Sequence, residues 1–300
     1  MAHEADIGNT DHTKMRVIDL KKLTKIATSL TMALCLLHKD NAIHADIKPE
    51  NCLIRLKQSA GGSEYSVHRR TNNGVQTNIN SMNENSISPT MRLSSASILA
   101  TESLNNLPDD FELQLGDFGN SIHSSDVSEY FADFDIQTIA YRAPEVLLGV
   151  PFGQQIDMWS LGILLVEICI GKPLFVVRSR QELYDAMCKN LTVPPRARFA
   201  SGLYSDLLIG TESPKLDIID WGVDIPSNAT SLNTKINFAV HISNVKKLLE
   251  NSVANAPNDL IHFLAGLLHP DPDFRLTAME AHSHSFIAGG LPMPISMICK

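Results

Sequence analysis

The segment His44-Ala45-Asp46-Ile47-Lys48-Pro49-Glu50-Asn51 places a carboxylate, an ammonium two residues on and an amide five residues on within one short stretch. Phosphoryl transfer uses this combination. A carboxylate orients the attacking hydroxyl and accepts its proton, an ammonium offsets charge on the γ-phosphate, and an amide oxygen ligates Mg²⁺. Asp46, Lys48 and Asn51 are the candidates for these roles. A second hard oxygen ligand, Asp117 of Asp117-Phe118-Gly119, follows an alternating run in which Phe111, Leu113 and Leu115 share one face. At a strand end it can chelate Mg²⁺ and nucleotide phosphates.

The elements that must position these residues show in the apolar spacing. From Val17 to His38 the apolar residues recur at three and four, which predicts a long amphipathic helix just before the His44 loop. Pro49 forbids a regular central strand, so short extended pieces should flank a loop. Cys52 to Leu56 and Phe111 to Leu115 then pair as a hairpin whose turn is expanded by residues 57–110. That stretch is rich in Ser, Asn, Gly and Thr and buries too little apolar surface to offset its ordering entropy, so disorder is expected there. Downstream, Pro144 suits the first turn of a helix in YRAPEVLL. The run Asp157 to Gly171, apolar nearly all round, predicts a buried central helix with Asp157 near its N-cap. Arg180 to Asn190, Ile242 to Ser252 and Asn258 to Leu268 are helical by period, with Asn258 a cap candidate, and Leu191 to Val240 reads as irregular.

Composition narrows the function classes. With 300 residues and 44% hydrophobic content the chain has enough apolar material for a sizeable core. Thirty-three acidic against 25 basic residues give a charge of −8, which offers no electrostatic footprint for a nucleic-acid backbone. Five widely spaced cysteines without a C-x-x-C pair suggest neither a disulfide framework nor a zinc site. The polar N-terminus and the shortness of the strongest apolar run argue against a signal peptide and a membrane span. An intracellular location, cytoplasmic or nuclear, is expected.

Taken together, His44 to Asn51, Asp117-Phe118-Gly119, Ala143-Pro144-Glu145, DMWSLG and the Arg275 of HPDPDFRLT resemble, in order, five motifs of the C-terminal lobe of a eukaryotic protein kinase. HADIKPEN, YRAPEVLLG and IDMWSLGILLVEICIGKPLF are most similar to the CMGC group, near the dual-specificity tyrosine-regulated and pre-mRNA-splicing kinases. The resemblance implies a mainly α fold, a kinase-like C-terminal lobe with a short β-hairpin at the catalytic loop. It implies residues 1–16 as a polar tail, 17–287 as the lobe, 57–110 as an insertion, 191–240 as a CMGC-type insert and 288–300 as a C-terminal tail. It also implies ATP and Mg²⁺ as cofactors and a protein substrate with a Ser/Thr acceptor. Asp46 would be the base, Lys48 the γ-phosphate contact, and Asn51 and Asp117 the metal ligands. Thr138 would bond Asp46 and Lys48, Glu145 and Arg275 would pair, and Asp157 would hold the catalytic-loop amides. His44 reads as structural.

Two departures qualify this expectation. No G-x-G-x-x-G and no V-A-I-K-like strand precede the helix at Val17, so the N-terminal β-lobe is expected to be missing and the kinase truncated as given. The alternative is a catalytically inactive C-lobe or pseudokinase acting as a protein-interaction module. In addition, Ala45 and the Asp135-Ile136-Gln137-Thr138-Ile139 stretch lack the arginines and the tyrosine of phosphate-activated relatives, so tyrosine autophosphorylation is not expected as a switch.

Overall fold

The computed structural model describes residues 19–56, 90–92, 105–130, 135–192, 194, 196–209, 230–250, 253 and 255–289. The order begins with α1 (Leu20–Lys39), β1 (Ala42–Ile43), a 3-10 turn at Pro49–Asn51, β2 (Cys52–Leu56), β3 (Thr90–Arg92), β4 (Phe111–Leu115) and β5 (Ile122–His123). Helices follow: α2 (Val127–Tyr130), α3 (Pro144–Leu148), α4 (Gln155–Ile170), α5 (Arg180–Asn190), α6 (Arg196–Phe199) and α7 (Ser205–Ile209). The last are α8 (Thr230–Glu250), α9 (Asn258–Leu267), α10 (Ala278–His282) and α11 (Ser285–Ala288). The fold is mostly helical, as expected.

α1 starts where the Asp19 carboxylate accepts from the Lys21 and Lys22 amides, satisfying two of the four orphan donors of the first turn. Leu23, Ile26, Ala27, Leu30 and Leu34 form its buried stripe. α4 is buried from Ile156 to Ile170 and packs against α1, α8 and α9, so it is the centre of the core. α3 begins with Pro144 at its first turn and ends at Gly149, whose φ of +72° suits glycine. A Cβ there would also meet Leu203 and Tyr204 at 2.9 Å, so side chain and strain are both excluded.

β1 and β2 flank the His44 loop, and β2 pairs antiparallel with β4 from Cys52–Leu115 to Leu56–Phe111, which is the expected hairpin. β3 pairs with the other edge of β2. This corrects the expectation of disorder at residues 90–92: the outer edge of β2 presents unpaired backbone groups that an extended segment can satisfy whatever its side chains. Most of 57–110, all of the 1–16 tail and all but the first two residues of the 288–300 tail lie outside the described residues.

Three further expectations change. α4 begins at Gln155, so Asp157 lies in its first turn and not at the cap; its carboxylate is drawn to other amides. Pro257 occupies the N-cap of α9 and Asn258 its first helical position. Residues 191–240 include α6, α7 and the start of α8, because local helices there gain stability from packing that composition does not reveal.

Glu145 of α3 and Arg275 form a two-pronged pair at 2.6 and 2.9 Å, both side chains fully buried. Arg275 also donates to the carbonyls of Gln155 and His269 and stacks on Trp159, tying α3, α4 and α9 together. Arg275→Ala leaves Glu145 buried without a partner, so a loss of roughly 3 to 5 kcal/mol is expected in chemical denaturation. Glu145→Gln combined with Arg275→Met should recover part of it, and simple additivity of the two single losses would contradict the coupling.

His241, buried on α8, takes Thr192 Oγ1 at 2.8 Å on Nδ1 and faces the Ala265 carbonyl at 3.0 Å with Nε2, an arrangement that suits the neutral ring. Burial and the neighbouring His269 push its pKa down to about 4. Between that value and the ordinary histidine range the unfolded chain binds a proton that the folded chain refuses, so stability should rise with pH across the window. His241→Phe is expected to flatten this slope in denaturation curves taken from pH 4 to 7.

Candidate active site

The loop between β1 and β2 is held from below. Asp157 accepts from the His44 amide at 2.8 Å, the Ala45 amide at 2.9 Å and His38 Nε2 at 3.0 Å, and it is fully buried. These bonds stabilise Ala45 at φ +63°, a left-handed conformation that a non-glycine residue rarely adopts. His44 is buried, with Nε2 on the Gly116 carbonyl at 3.0 Å and Nδ1 accepting from the Asp46 amide at 3.3 Å. Its role is structural, linking the loop to the end of β4.

Asp46, Lys48, Asn51 and Thr138 come together on this support. Asp46 Oδ1 accepts from Thr138 Oγ1 at 2.7 Å, and Lys48 Nζ donates to Asp46 Oδ2 at 2.7 Å and to Thr138 Oγ1 at 3.0 Å. The Thr138 amide lies 3.3 Å from the same Oδ1. Asn51 Nδ2 donates to the Asp46 carbonyl at 2.8 Å and to Oδ2 at 3.2 Å. Burial alone raises the Asp46 pKa, yet the bond from Lys48, the bond from Thr138, the charge of Lys48 and the bond from Asn51 outweigh it and bring it below the ordinary value. The carboxylate is therefore ionised at neutral pH.

Asp117, exposed at the end of β4, has φ +62° and ψ +69°. The Gly116 amide bonds to the Asn51 carbonyl at 2.8 Å, so the two expected cation ligands are joined through adjacent backbone. Among the described residues both side-chain hydrogen bonds of Asn51 come from Nδ2, so its Oδ1 can face a cation. An amide oxygen and a carboxylate fit Mg²⁺, which prefers hard oxygen ligands and completes its shell with water and phosphate. Among the described residues no group of three or more His, Cys, Asp or Glu could hold a metal ion, so the pair stands apart from an all-protein cage. No helix of the described residues is long and apolar enough to cross a membrane. Cys52 and Cys169 are buried, and desolvation pushes both thiols up to about 12, so they are inert.

Several participants carry no spacing signal. Asn120 Nδ2 stands 3.4 Å from Asp46 Oδ2, His38 reaches Asp157, and Gln137 is a buried hub. Asn120 directly follows Asp-Phe-Gly, which is the one clue to it.

A family model described as the protein kinase domain matches residues 95–287, and the chain belongs to the protein kinase family. Its relatives include the serine/threonine-protein kinase AFC1 of Arabidopsis thaliana, 28% identical over 90% of this chain and 49% of that protein. They also include the dual specificity protein kinase YAK1 of Saccharomyces cerevisiae, 24% identical over 91% of this chain and 30% of that protein. The dual specificity tyrosine-phosphorylation-regulated kinase mbk-2 of Caenorhabditis elegans is 25% identical over 94% of this chain and 28% of its own length. The chain spans about half or less of the length of each of these relatives. Residues 44–51 precede the segment that the family model matches. Their bonds to Gly116, Thr138 and Asp157 join them to it.

Removing Lys48 deletes both its hydrogen bond and its charge from Asp46. In the wild type the depressed pKa contributes stability that is present above the ordinary aspartate value and lost as pH falls through the folded one. With Lys48→Met, two of the causes that lower the Asp46 pKa are gone while burial still opposes the bonds from Thr138 and Asn51, so the pKa should rise from its wild-type position and the variant loses more stability at neutral pH than in acid. Carboxyl-carbon NMR titration checks the direction, and an unmoved Asp46 would contradict it.

Proposed function

We propose that this chain forms the C-terminal lobe of a protein serine/threonine kinase and transfers the γ-phosphoryl group of ATP to serine or threonine hydroxyls of proteins. The observation that carries the reading is the Thr138 hydroxyl bridging Asp46 Oδ1 and Lys48 Nζ. It holds a base and a cation side by side in a half-buried site, as phosphoryl transfer requires. Asp46 accepts the proton of the substrate hydroxyl as its oxygen bonds to phosphorus and the bond to the departing ADP oxygen breaks. Lys48 offsets negative charge on the transferred group. Asn51 Oδ1 and Asp117 would hold Mg²⁺, which supplies charge neutralisation at the phosphates. Thr138 keeps the two reacting side chains in register, and the similarity to serine/threonine and dual-specificity kinases supports hydroxyl acceptors in proteins.

The 300 residues contain no G-x-G-x-x-G segment and no V-A-I-K strand, so nucleotide affinity of this chain by itself is expected to be weak and the assay uses millimolar ATP. With labelled ATP, Mg²⁺ and a Ser/Thr peptide mixture, transfer is expected from the wild type. Asp46→Asn should lower turnover by orders of magnitude while nucleotide affinity holds, because only the substrate-orienting carboxylate is lost. Equal loss of both would make Asp46 structural. Nucleotide binding without any transfer would favour an interaction module over an enzyme.

A further inference from the structure

Asp135 lies three residues before Thr138, and its Oδ1 meets two arginines at once, Arg142 at 3.2 Å and Arg180 at 3.1 Å. The carboxylate is 80% exposed, whereas the Arg142 side chain is 5% exposed and that of Arg180 24%. The arginines are fixed independently of it. Arg180, at the start of α5, donates to the carbonyls of Val146 and Leu147 and stacks on Tyr204 at 4.2 Å. Arg142 donates to the Gln137 carbonyl at 3.0 Å, and its Nε has no hydrogen-bond partner among the described residues. Two guanidinium groups aimed at one point repel each other, and burial adds to the cost: the pKa of Arg142 is lowered by desolvation first and by Arg180 next, with Asp135 opposing both.

The consequence reaches the reacting groups through Gln137. That residue sits at φ +63°, with its carbonyl turned onto Arg142. Its side chain is locked into α4 and the following turn by bonds to Ser160 Oγ, the Ile156 carbonyl and the Ala143 amide. The next residue is Thr138, whose hydroxyl and amide both face Asp46. An anion between the arginines thus holds the turn that aims Thr138 at the base.

We propose that Asp135 is a built-in anion in a two-arginine oxyanion site, and that it acts as a positioning residue holding the 135–142 turn, and through it Thr138, against Asp46 with no added phosphate. The effect on turnover rests on the kinase reading, whereas the anion site does not. A carboxylate is singly charged and carries two acceptor oxygens, so a tetrahedral dianion of the phosphate or sulfate class is the ligand the vacated site would take.

The test uses Asp135→Ala and the isosteric Asp135→Asn, so that a folding defect in one leaves the other to decide. Each variant should lose about 2 °C of melting temperature, the modest cost of a solvent-exposed partner. Each should regain it in millimolar inorganic phosphate or sulfate at constant ionic strength, with no such response in the wild type. Adding Arg180→Ala should abolish the regain, and its persistence would identify the effect as general salt stabilisation and overturn the site. In phosphoryl transfer, kcat should fall about threefold to tenfold, as expected for loss of a partly exposed ion pair, with partial rescue by the same anions and near-full retention in Asp135→Glu. Unchanged melting and unchanged kinetics in both variants would overturn the proposal. An anion-dependent melting shift in a protein that transfers no phosphate at all would leave the site standing and sink the kinase reading instead.

Discussion

The carboxylate of Asp157 is the constraint on which the rest of the site depends. It belongs to a helix buried from Ile156 to Ile170, carries no exposed surface, and spends its oxygens on two consecutive loop amides and one histidine. A buried charge is tolerated only when hydrogen bonds replace the water it has lost, and these three bonds do so. In return the loop is held in a conformation that it would not adopt unaided, with Ala45 at positive φ. Asp46 follows directly and inherits its direction from that strain. A helix that is rigid because it is packed on all sides therefore positions the loop that carries Asp46, Lys48 and Asn51.

The same logic repeats at two further levels. Asp46 is buried enough to favour its neutral form, yet Lys48, Thr138 and Asn51 reverse the balance and keep it charged. Glu145 and Arg275 are buried more deeply still, and their two parallel bonds join α3 to the turn between α9 and α10. Each pair is costly to desolvate and more costly to break, so the anchors of this fold are polar contacts inside an apolar mass. The apolar core supplies the stability, while the buried polar groups decide which of many compact arrangements is adopted.

Much of this architecture is legible in the residue order. The three/four spacing ahead of the His44 loop marks α1, Pro144 marks the first turn of α3, and the alternation of Phe111, Leu113 and Leu115 marks the strand that pairs with β2. These signals are local, because a helix or hairpin must match its own side-chain period to one buried face. The start of α4 and the cap of α9 were misplaced for the complementary reason. A polar residue near a helix start looks like a cap, but Asp157 is claimed by amides more than a hundred positions away. β3 escaped notice because edge pairing uses backbone groups that every residue carries.

Residue types and spacing by themselves singled out the candidate set: Asp46, Lys48 and Asn51 on one loop, Asp117 at a strand end, and the mainly helical frame around them. Their identity follows from chemistry that few side chains can perform. The resemblance already implied Thr138 on Asp46 and Lys48 and Asp157 on the loop amides; only the tertiary structure added Asn120 beside Asp46, His38 on Asp157, and Asp135 between two arginines. Those contacts join residues between 7 and 119 positions apart. No local period encodes such separations. They form because the packed core brings distant segments within hydrogen-bond range, where burial makes an unpaired polar group too costly to leave alone.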